Sequence, residues 1–494
     1  MPFRNVSQRR FGIALLATLV LALCCTACGL LRKVSLPDPN TASPGALAVR
    51  AESDPTNGAY PGPATPLFVP FALAQCTPTP TATVTQTPLP PTATPTATPW
   101  PPGYYVDSVS GSDTNAGSSA DAPWQTLDNL RGQDLQPGDV VYLKAGSSWS
   151  GTLRISHSGS EGHPIVYRPY GEGPRPMISG TGRRSDTCID VKADWVVIEG
   201  LEIQNSPYSG IRLAEGSDHN TVRDCEISDV GLGVAVHGQH NLVTANNIHD
   251  LNMVVDTRGG DDDYGAVGVW LFASDNEVSH NRFQACRGHS YDYGSDGGAV
   301  ESYGAVSNSY VHHNWAQDCE GFFEIGGSDD AGREVRNTRV AYNVLIDVKR
   351  ALHFNLGDYQ YSVDVDGFVF EHNTVLESSA FETAFFFVQG ELVGDQLTVR
   401  NNILSGFSRL SQSTGFIHQY NLYHGTWVPF GLGEGEFMAN PEFVAKSALN
   451  LALQDTSPAI DQGIDLGYAR DYAGNSVPYG ERPDLGAYEY VPGD

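Results

Sequence analysis

Basic residues are scarce in this chain. Its 494 residues include 29 Lys and Arg against 57 Asp and Glu, a formal net charge of -28, and only five of the cations are lysines. Nucleic acid is excluded as an expected partner, because binding to phosphates requires a basic surface. The same charge predicts that an anionic polysaccharide would be repelled unless cations bridged it.

The chain also lacks an apolar run long enough to span a bilayer comfortably. Its longest candidate, Phe11 to Leu23, follows Arg4, Arg9 and Arg10 and ends near Cys28, as in a signal peptide. The small residues before Cys28 resemble a bacterial lipoprotein cleavage site, although Cys25 stands where such sites usually carry Leu. We therefore predict a signal peptide over 1–28, lipidation at Cys28, and an extracellular, surface-anchored protein that meets the membrane only through its lipid. Simple secretion is the alternative.

Residues 29–102 contain few residues that could form a core. The stretch 77–102 is almost pure Thr, Pro and Ala, which is typical of an extended, semi-rigid spacer. We predict a disordered linker over 29–102.

No helical periodicity runs through the middle of the chain, but a short phrase recurs there. A hydrophobic residue is followed three positions later by a residue that is usually Asn, and then by further apolar positions. The recurring residues are Cys225, Asn246, Asn281, Asn314, Asn343, Asn373 and Asn402, with spacings of 21, 35, 33, 29, 30 and 29 residues. This period with β-forming residues predicts stacked coils of strands with an asparagine ladder at one corner.

The pattern resembles the right-handed parallel β-helix proteins of the pectate-lyase-like fold, without identifying one enzyme family. The resemblance implies an all-β solenoid, which we place at 181–425 and expect to be monomeric. Residues 103–180 are expected to form an N-terminal cap, with a short amphipathic helix after Pro123, and the first coils. Residues 426–494 are similar to the terminal module of many bacterial β-helices and are expected to form a C-terminal cap.

Four cysteines lie in the predicted folded part: Cys188, Cys225, Cys286 and Cys319. The secreted context permits disulfides. Cys286 and Cys319 nevertheless occupy the same place in adjacent coils, at an interior position, so buried free thiols are favoured over a bridge.

Aligning the strand after each ladder position predicts one outward-facing column of side chains. Its members are Arg212, Ala235, Trp270, Glu301, Glu324, His353 and Phe385. Like charges on neighbouring strands are destabilising, so the pairing of Glu301 with Glu324 indicates function. We predict Glu301 and Glu324 as the central catalytic pair, His353 as a proton shuttle or substrate contact, and Asp296 from a neighbouring insertion as a further catalytic carboxylate.

Other residues near this column are candidates for binding. The predicted substrate contacts are Trp270, Tyr264, Tyr293, Phe385, Lys349 and Arg350, because aromatic faces suit pyranose rings. Asp261, Asp263 and Glu320 are a candidate calcium set, although a solvated loop is the favoured interpretation for Asp261 and Asp263. No other cofactor is indicated.

These residues favour an enzyme that cleaves a polysaccharide, most simply a glycoside hydrolase with paired carboxylates. Adjacent strands suit a retaining spacing, whereas Asp296 or Asp263 against Glu324 could provide an inverting one. The alternatives are calcium-assisted β-elimination by a polysaccharide lyase, with Lys349 and Arg350 as the cations, and a surface protein that binds glycans without cleaving them.

Overall fold

The computed structural model describes residues 102–303, 306–326, 333–358, 361–377, 384–389, 392–406, 409–411, 415–429 and 431–493. The predicted signal peptide, the lipidation site at Cys28 and the linker up to residue 101 lie outside the described residues. Among the described residues, no helix is long and apolar enough to cross a membrane.

The described chain winds through three parallel sheets, taking one strand of each per coil, so the fold is a parallel β-helix. The strands of sheet 1 are Tyr104–Val106, Val140–Lys144, Ile165–Tyr170, Val196–Glu199, Thr221–Arg223, Leu242–Thr244, Glu277–Ser279, Tyr310–His312, Arg339–Ala341, Phe368–Glu371, Gly394–Arg400 and Phe416–Gln419. The strands of sheet 2 are Leu153–Ile155, Thr187–Val191, Ser206–Leu213, Val230–Val236, Val267–Leu271, Gly298–Ser302, Phe323–Ile325, Leu352–Asn355, Ala384–Gln389 and Arg409–Ser411. The strands of sheet 3 are Ser148–Ser150, Met177–Ser179, Glu202–Gln204, Glu226–Ser228, Asn247–His249, Arg282–Gln284, Trp315–Gln317, Val344–Ile346, Thr374–Leu376, Ile403–Ser405, Leu422–His424 and Phe437–Met438.

Short antiparallel hairpins and one small sheet project from the coils. The hairpins pair Met253–Val255 with Tyr264–Gly265, Gly288–Ser290 with Gly294–Asp296, and Phe443–Ala445 with Asn450–Leu453. The small sheet contains Val306–Ser307, Arg333–Arg336, Gly357–Asp358 and Tyr361–Asp366. The first two hairpins are insertions beside sheet 2, and the second contains Asp296, which was predicted to lie in an insertion.

Aliphatic residues of equal register form the core. In sheet 3, Ile227, Ile248 and Phe283 pair in successive coils and are fully buried. Burying such stacks, at about 25 cal/mol per Å² of apolar area, is the main term that stabilises the solenoid.

Side-chain amides join the coils at the corner between sheets 1 and 3. Each Nδ2–H group donates to the Oδ1 atom of the next Asn, at 2.9 to 3.2 Å, along the series Asn246, Asn281, Asn314, Asn343, Asn373, Asn402 and Asn421. Each Oδ1 also accepts a backbone N–H, as Asn343 does from Asn314. Buried polar groups at the corner are thereby satisfied.

The residue before each ladder Asn has a left-handed backbone. His280, His313 and His372 have φ values of 55°, 53° and 51°. Their rings lie in a stack that includes Tyr342, between His313 and His372. These histidines therefore serve the turn.

The two ends differ in detail from the prediction. The N-terminal part contains a 3-10 helix, Leu127–Gly132, rather than an α-helix beginning near Pro123, and a second one spans Lys446–Ala448. The C-terminal module packs along the side of the coils rather than across their end alone. Its Phe443, Leu451 and Leu485 share an apolar cluster with outward residues of sheet 3, such as Val344 and Ile403.

The four described cysteines are all buried and unbridged, which confirms free thiols at Cys286 and Cys319. Burial raises the pKa of Cys286 well above its ordinary value, and the hydrogen bond with Cys319 raises it further. These thiols are core residues.

Candidate functional site

The predicted column of outward side chains is present in sheet 2. Ala235 pairs with Trp270, Trp270 with Glu301, Glu301 with Glu324, and Glu324 with His353. The next residue in register is Phe387 and not Phe385. The prediction of Phe385 was wrong by two positions, because the length of the preceding loop hid the register; Phe385 is buried, 1% exposed.

Glu324 is contacted by two side chains of the next strand. Its Oε2 is 3.0 Å from Nδ1 of His353, and its Oε1 accepts a 3.0 Å hydrogen bond from Nδ2 of Asn355. Nη1 of Arg350 lies 3.1 and 3.3 Å from the two ring nitrogens of His353. A neutral ring with its proton on Nδ1 can donate to Glu324 while Nε2 accepts from Arg350, since guanidinium only donates. Both carboxylate oxygens of Glu324 therefore have a partner on the next strand.

Asp296 ends the hairpin inserted before Gly298–Ser302, which brings it close to Glu324. Burial raises its pKa from the ordinary value of 3.8 to about 7, and the negative charge of Glu324 and then of Glu320 add to the shift. The backbone N–H of Gly297 acts in the opposite direction. Asp296 therefore titrates near neutral pH and is still protonated below it.

A small network fixes the hairpin beside these carboxyls. Ser295 donates to Oε2 of Glu320 at 2.7 Å, and Nζ of Lys349 contacts Oε1 of Glu320 and lies 3.3 Å from Oγ of Ser295. Lys349 thus partly neutralises Glu320.

Glu301 lies on the same column, and its carboxyl extends over Gly326, which follows the strand Phe323–Ile325 of the next coil. A Cβ atom at position 326 would come within 2.5 Å of Oε1 of Glu301 and close to Tyr303. The carboxyl of Glu301 therefore depends on the absence of a side chain at Gly326. The sequence offered no sign of this dependence.

The aromatic candidates fall into different environments. Trp270 is only 7% exposed and packs against Phe272 and Tyr303, at centroid distances of 4.7 and 5.4 Å. The prediction that Trp270 offers an open face to a sugar was wrong, because its neighbours on sheet 2 cover it. Tyr264 is half-buried against Trp270, and Tyr293 is exposed, with its hydroxyl donating to Asp261 at 2.9 Å.

Phe387 replaces Phe385 as the aromatic at the far end of the column. The guanidinium of Arg350 lies 4.2 Å from its ring centroid, and His353 meets it edge-on at 5.1 Å. Asn355 and Phe387 are the site residues that sequence reasoning missed. Asn355 could have been found, because it lies two positions after His353 and so faces the same way.

The carboxylates that converge in the inserted loops are Asp262, Asp263 and Asp292, whose oxygens lie within 4.8 Å of one another. Hydrogen bonds account for the cluster without an ion. Asp263 accepts from Thr257 N at 2.6 Å and Ser290 Oγ at 2.9 Å, and Asp292 accepts from Asp262 N at 3.0 Å. The predicted set of Asp261, Asp263 and Glu320 is not brought together among the described residues.

Known proteins share this β-helix architecture. Residues 104–346 match the family model described as Pel9A-like, right-handed beta helix region. The crystal structure of pectate lyase Pel9A superposes with a TM-score of 0.51, at 16% identity, over 78% of this chain and 96% of that one. The folded part is a pectate-lyase-like right-handed β-helix. At this identity, the superposition shows the fold of the β-helix alone.

Two curated relatives match shorter stretches of the β-helix protein. A lacto-N-biosidase of Bifidobacterium longum subsp. longum is 37% identical over 132 residues, which is 26% of this chain and 8% of that enzyme. The uncharacterized protein YwoF of Bacillus subtilis (strain 168) is 30% identical over 140 residues, 26% of this chain and 29% of that protein. The chain thus spans less than a third of either relative. Carbohydrate-active enzymes are among the proteins that it resembles.

Proposed function

We propose that this β-helix protein is a glycoside hydrolase that cleaves a polysaccharide with Asp296 as general acid and Glu324 as the ionised carboxylate. The observation that carries the proposal is the contrast between the two groups. Burial and negative neighbours raise the pKa of Asp296 to about 7, whereas Glu324 accepts hydrogen bonds from Asn355 and His353. Two carboxyls in opposite protonation states are what acid-assisted glycoside cleavage requires.

In the proposed reaction, Asp296 donates its proton to the glycosidic oxygen as the bond to the anomeric carbon breaks. Glu324 acts on the opposite side, either on a water molecule or on the anomeric carbon itself. His353 and Asn355 orient Glu324, and Arg350, packed on Phe387, orients His353. Glu301, one strand away, contacts the sugar ring beside the broken bond.

The local similarity to a lacto-N-biosidase supports a hydrolase, since that enzyme's name describes glycoside cleavage. The lyase alternative would need a cation or base that is free to act. Lys349 is bonded to Glu320 and Ser295, and Arg350 lies against Phe387 and His353. These contacts favour supporting roles for both cations.

The test is mass spectrometry of the products after incubation of the full chain with a panel of polysaccharides. We expect fragments that carry one added water, and a loss of at least about 100-fold in rate for Glu324→Gln and for Asp296→Asn, the range for removing a general acid or base. Glu481→Gln, an equal charge change at an exposed position of the C-terminal module, serves as the control. Fragments that lack the added water would contradict the proposal in favour of a lyase, and binding without fragments would favour a non-catalytic protein.

We also propose that the enzyme is held at the cell surface by a lipid on Cys28. The observation behind this is the basic and apolar segment that precedes Cys28 in the sequence. Cys28→Ala should release the protein from the membrane fraction, and retention of the variant there would contradict the lipid anchor.

A further inference from the structure

A second concave site lies on sheet 2, towards the N-terminus from the carboxylates. It is a cavity of about 660 Å³ whose polar lining includes Arg154, Arg184, Asp190, Arg212, Tyr208 and Tyr264. Arg154, Asp190 and Arg212 belong to the outward column, since they pair in register in successive coils. The cavity and the candidate active site are therefore parts of one surface.

The charge of this cavity is opposite to that of the molecule. Arg212 is neutralised by Asp190, with its Nε and Nη2 at 2.9 and 2.8 Å from Oδ1. Lys192 lies 3.6 Å from the other oxygen of Asp190. Arg154 and Arg184 are exposed, and within the described part of the chain no carboxylate lies within ion-pair distance of either. Three guanidinium groups thus face one carboxylate in a chain whose formal charge is -28.

We propose that this cavity is a remote subsite for the anionic group of a sugar unit, a carboxylate or a sulfate ester, in the substrate of the proposed hydrolase. Guanidinium groups bind such oxyanions through paired N–H donors. Tyr208 and Tyr264 supply apolar faces beside the arginines, and the positive charge of Arg184 acts on the Tyr264 hydroxyl. This proposal rests on the proposed function, because the anionic sugar unit is taken to belong to the polymer that the hydrolase cleaves.

The spacing suits one extended chain. From Arg212 the column passes Ala235 and Trp270 to Glu301 and then Glu324, four steps in all. At about 4.8 Å per step the distance is roughly 19 Å, or a few sugar units. Ala235 and Trp270, both buried in one apolar cluster, lie between the two regions. Screening limits the effect of exposed charges to about 10 Å at 0.1 M salt. The local positive charge of the cavity can therefore attract an anionic polymer although the whole protein is acidic.

The test is binding to the full chain carrying Glu324→Gln, measured by calorimetry, so that the probe is not consumed. The probes are an oligogalacturonate, its carboxyl-reduced neutral counterpart, and a sulfated galactan oligosaccharide. We expect at least one anionic probe to bind more tightly than the neutral one. Arg154→Gln and Arg184→Gln should each weaken that binding about tenfold, as for loss of one charge-assisted hydrogen bond.

Arg131→Gln is the matched control, since Arg131 is an exposed arginine of the 3-10 helix, paired with Asp128. A preference for the carboxylate or for the sulfate would support the subsite and identify its anion. Equal affinity for the neutral oligosaccharide, no binding of any probe, or an equal loss in Arg131→Gln would overturn it. Because binding is measured without turnover, failure of the hydrolase proposal would leave this result unchanged, and the reverse also holds.

Discussion

Replacing Glu320 by Gln offers a sharp test of how the candidate acid is kept protonated. Burial is the main cause of the raised pKa of Asp296, and the charges of Glu324 and Glu320 raise it further. Glu320 is not proposed to touch the reacting atoms, so Glu320→Gln removes one of these charges without removing a catalytic group. It also leaves the ammonium of Lys349, which lies 3.3 Å from Ser295, without its carboxylate partner. Both changes lower the pKa of Asp296.

The magnitude follows from the protonated fraction. With a pKa of about 7, roughly half of Asp296 is protonated at pH 7. A decrease of about one unit, equivalent to roughly 1.4 kcal/mol, would leave about one tenth protonated and lower the rate about fivefold at pH 7. At about pH 5, Asp296 is almost fully protonated both in the parent protein and in Glu320→Gln, so their rates should agree.

The assay is the pH dependence of kcat/KM on the polysaccharide that the product analysis identifies. A raised carboxyl pKa means that activity is full below the alkaline limb and is lost as pH rises through about 7. In Glu320→Gln this limb should move to lower pH, and in Glu481→Gln it should not move. An alkaline limb that stays in place or moves upward would refute Asp296 as the titrating acid, and an equal loss at every pH would indicate a merely structural role for Glu320.

Three further predictions address neighbouring features. Gly326→Ala should displace the Glu301 carboxyl and lower kcat/KM about tenfold with no change in net charge, whereas Gly132→Ala, where a Cβ meets nothing within 4 Å, should have no effect. Asn343→Ala should lower the free energy of unfolding by about 3 kcal/mol, read from the urea midpoint, because it leaves several buried ladder groups unpaired; a loss below about 1 kcal/mol would contradict the ladder's role. The raised pKa of Asp296 contributes stability that is full below about pH 4 and is lost as pH rises through about 7. This part of the pH dependence of Tm should vanish in Asp296→Asn and persist in the control Glu481→Gln.

The coils could be predicted from the sequence because their periodic signal is local. A hydrophobic residue, two positions and an Asn define one corner, and inward and outward residues alternate from there. This is why Glu301, Glu324 and His353 fall in register. The register failed only at Phe385, where the preceding insertion removed the local anchor.

The chemistry of the site depends on contacts between distant segments, and these could not be read from spacing. Asp296 was predicted as a catalytic carboxylate that could act with Glu324, but nothing in the spacing indicates the burial that raises its pKa. The sequence pattern predicted Trp270 as an open aromatic side chain, but Tyr303 from the next coil covers it. Asp262 and Asp292 were missed as partners of Asp263 for the same reason.

The arginine cavity was missed for a different reason, since charge was summed over the whole chain. The outward column continues towards the N-terminus through Asp190 and Arg154, and extending the alignment by two coils would have found both residues. Net charge describes the average field of a protein, whereas a subsite responds to charges within about one Debye length.

The placement of the C-terminal module determines which face of the solenoid a polymer can reach. On the later coils, the outward residues of sheet 3 are apolar and pack against this module. The outward residues of sheet 2 include Arg154, Arg212, Glu301 and Glu324, which remain at least partly exposed. The two inserted hairpins lie beside this sheet. A covered apolar face and an open, charged face on one solenoid favour sheet 2 as the face that the proposed substrate contacts. Under the two proposals made above, the basic cavity would set the position of the polymer that Asp296 and Glu324 cleave.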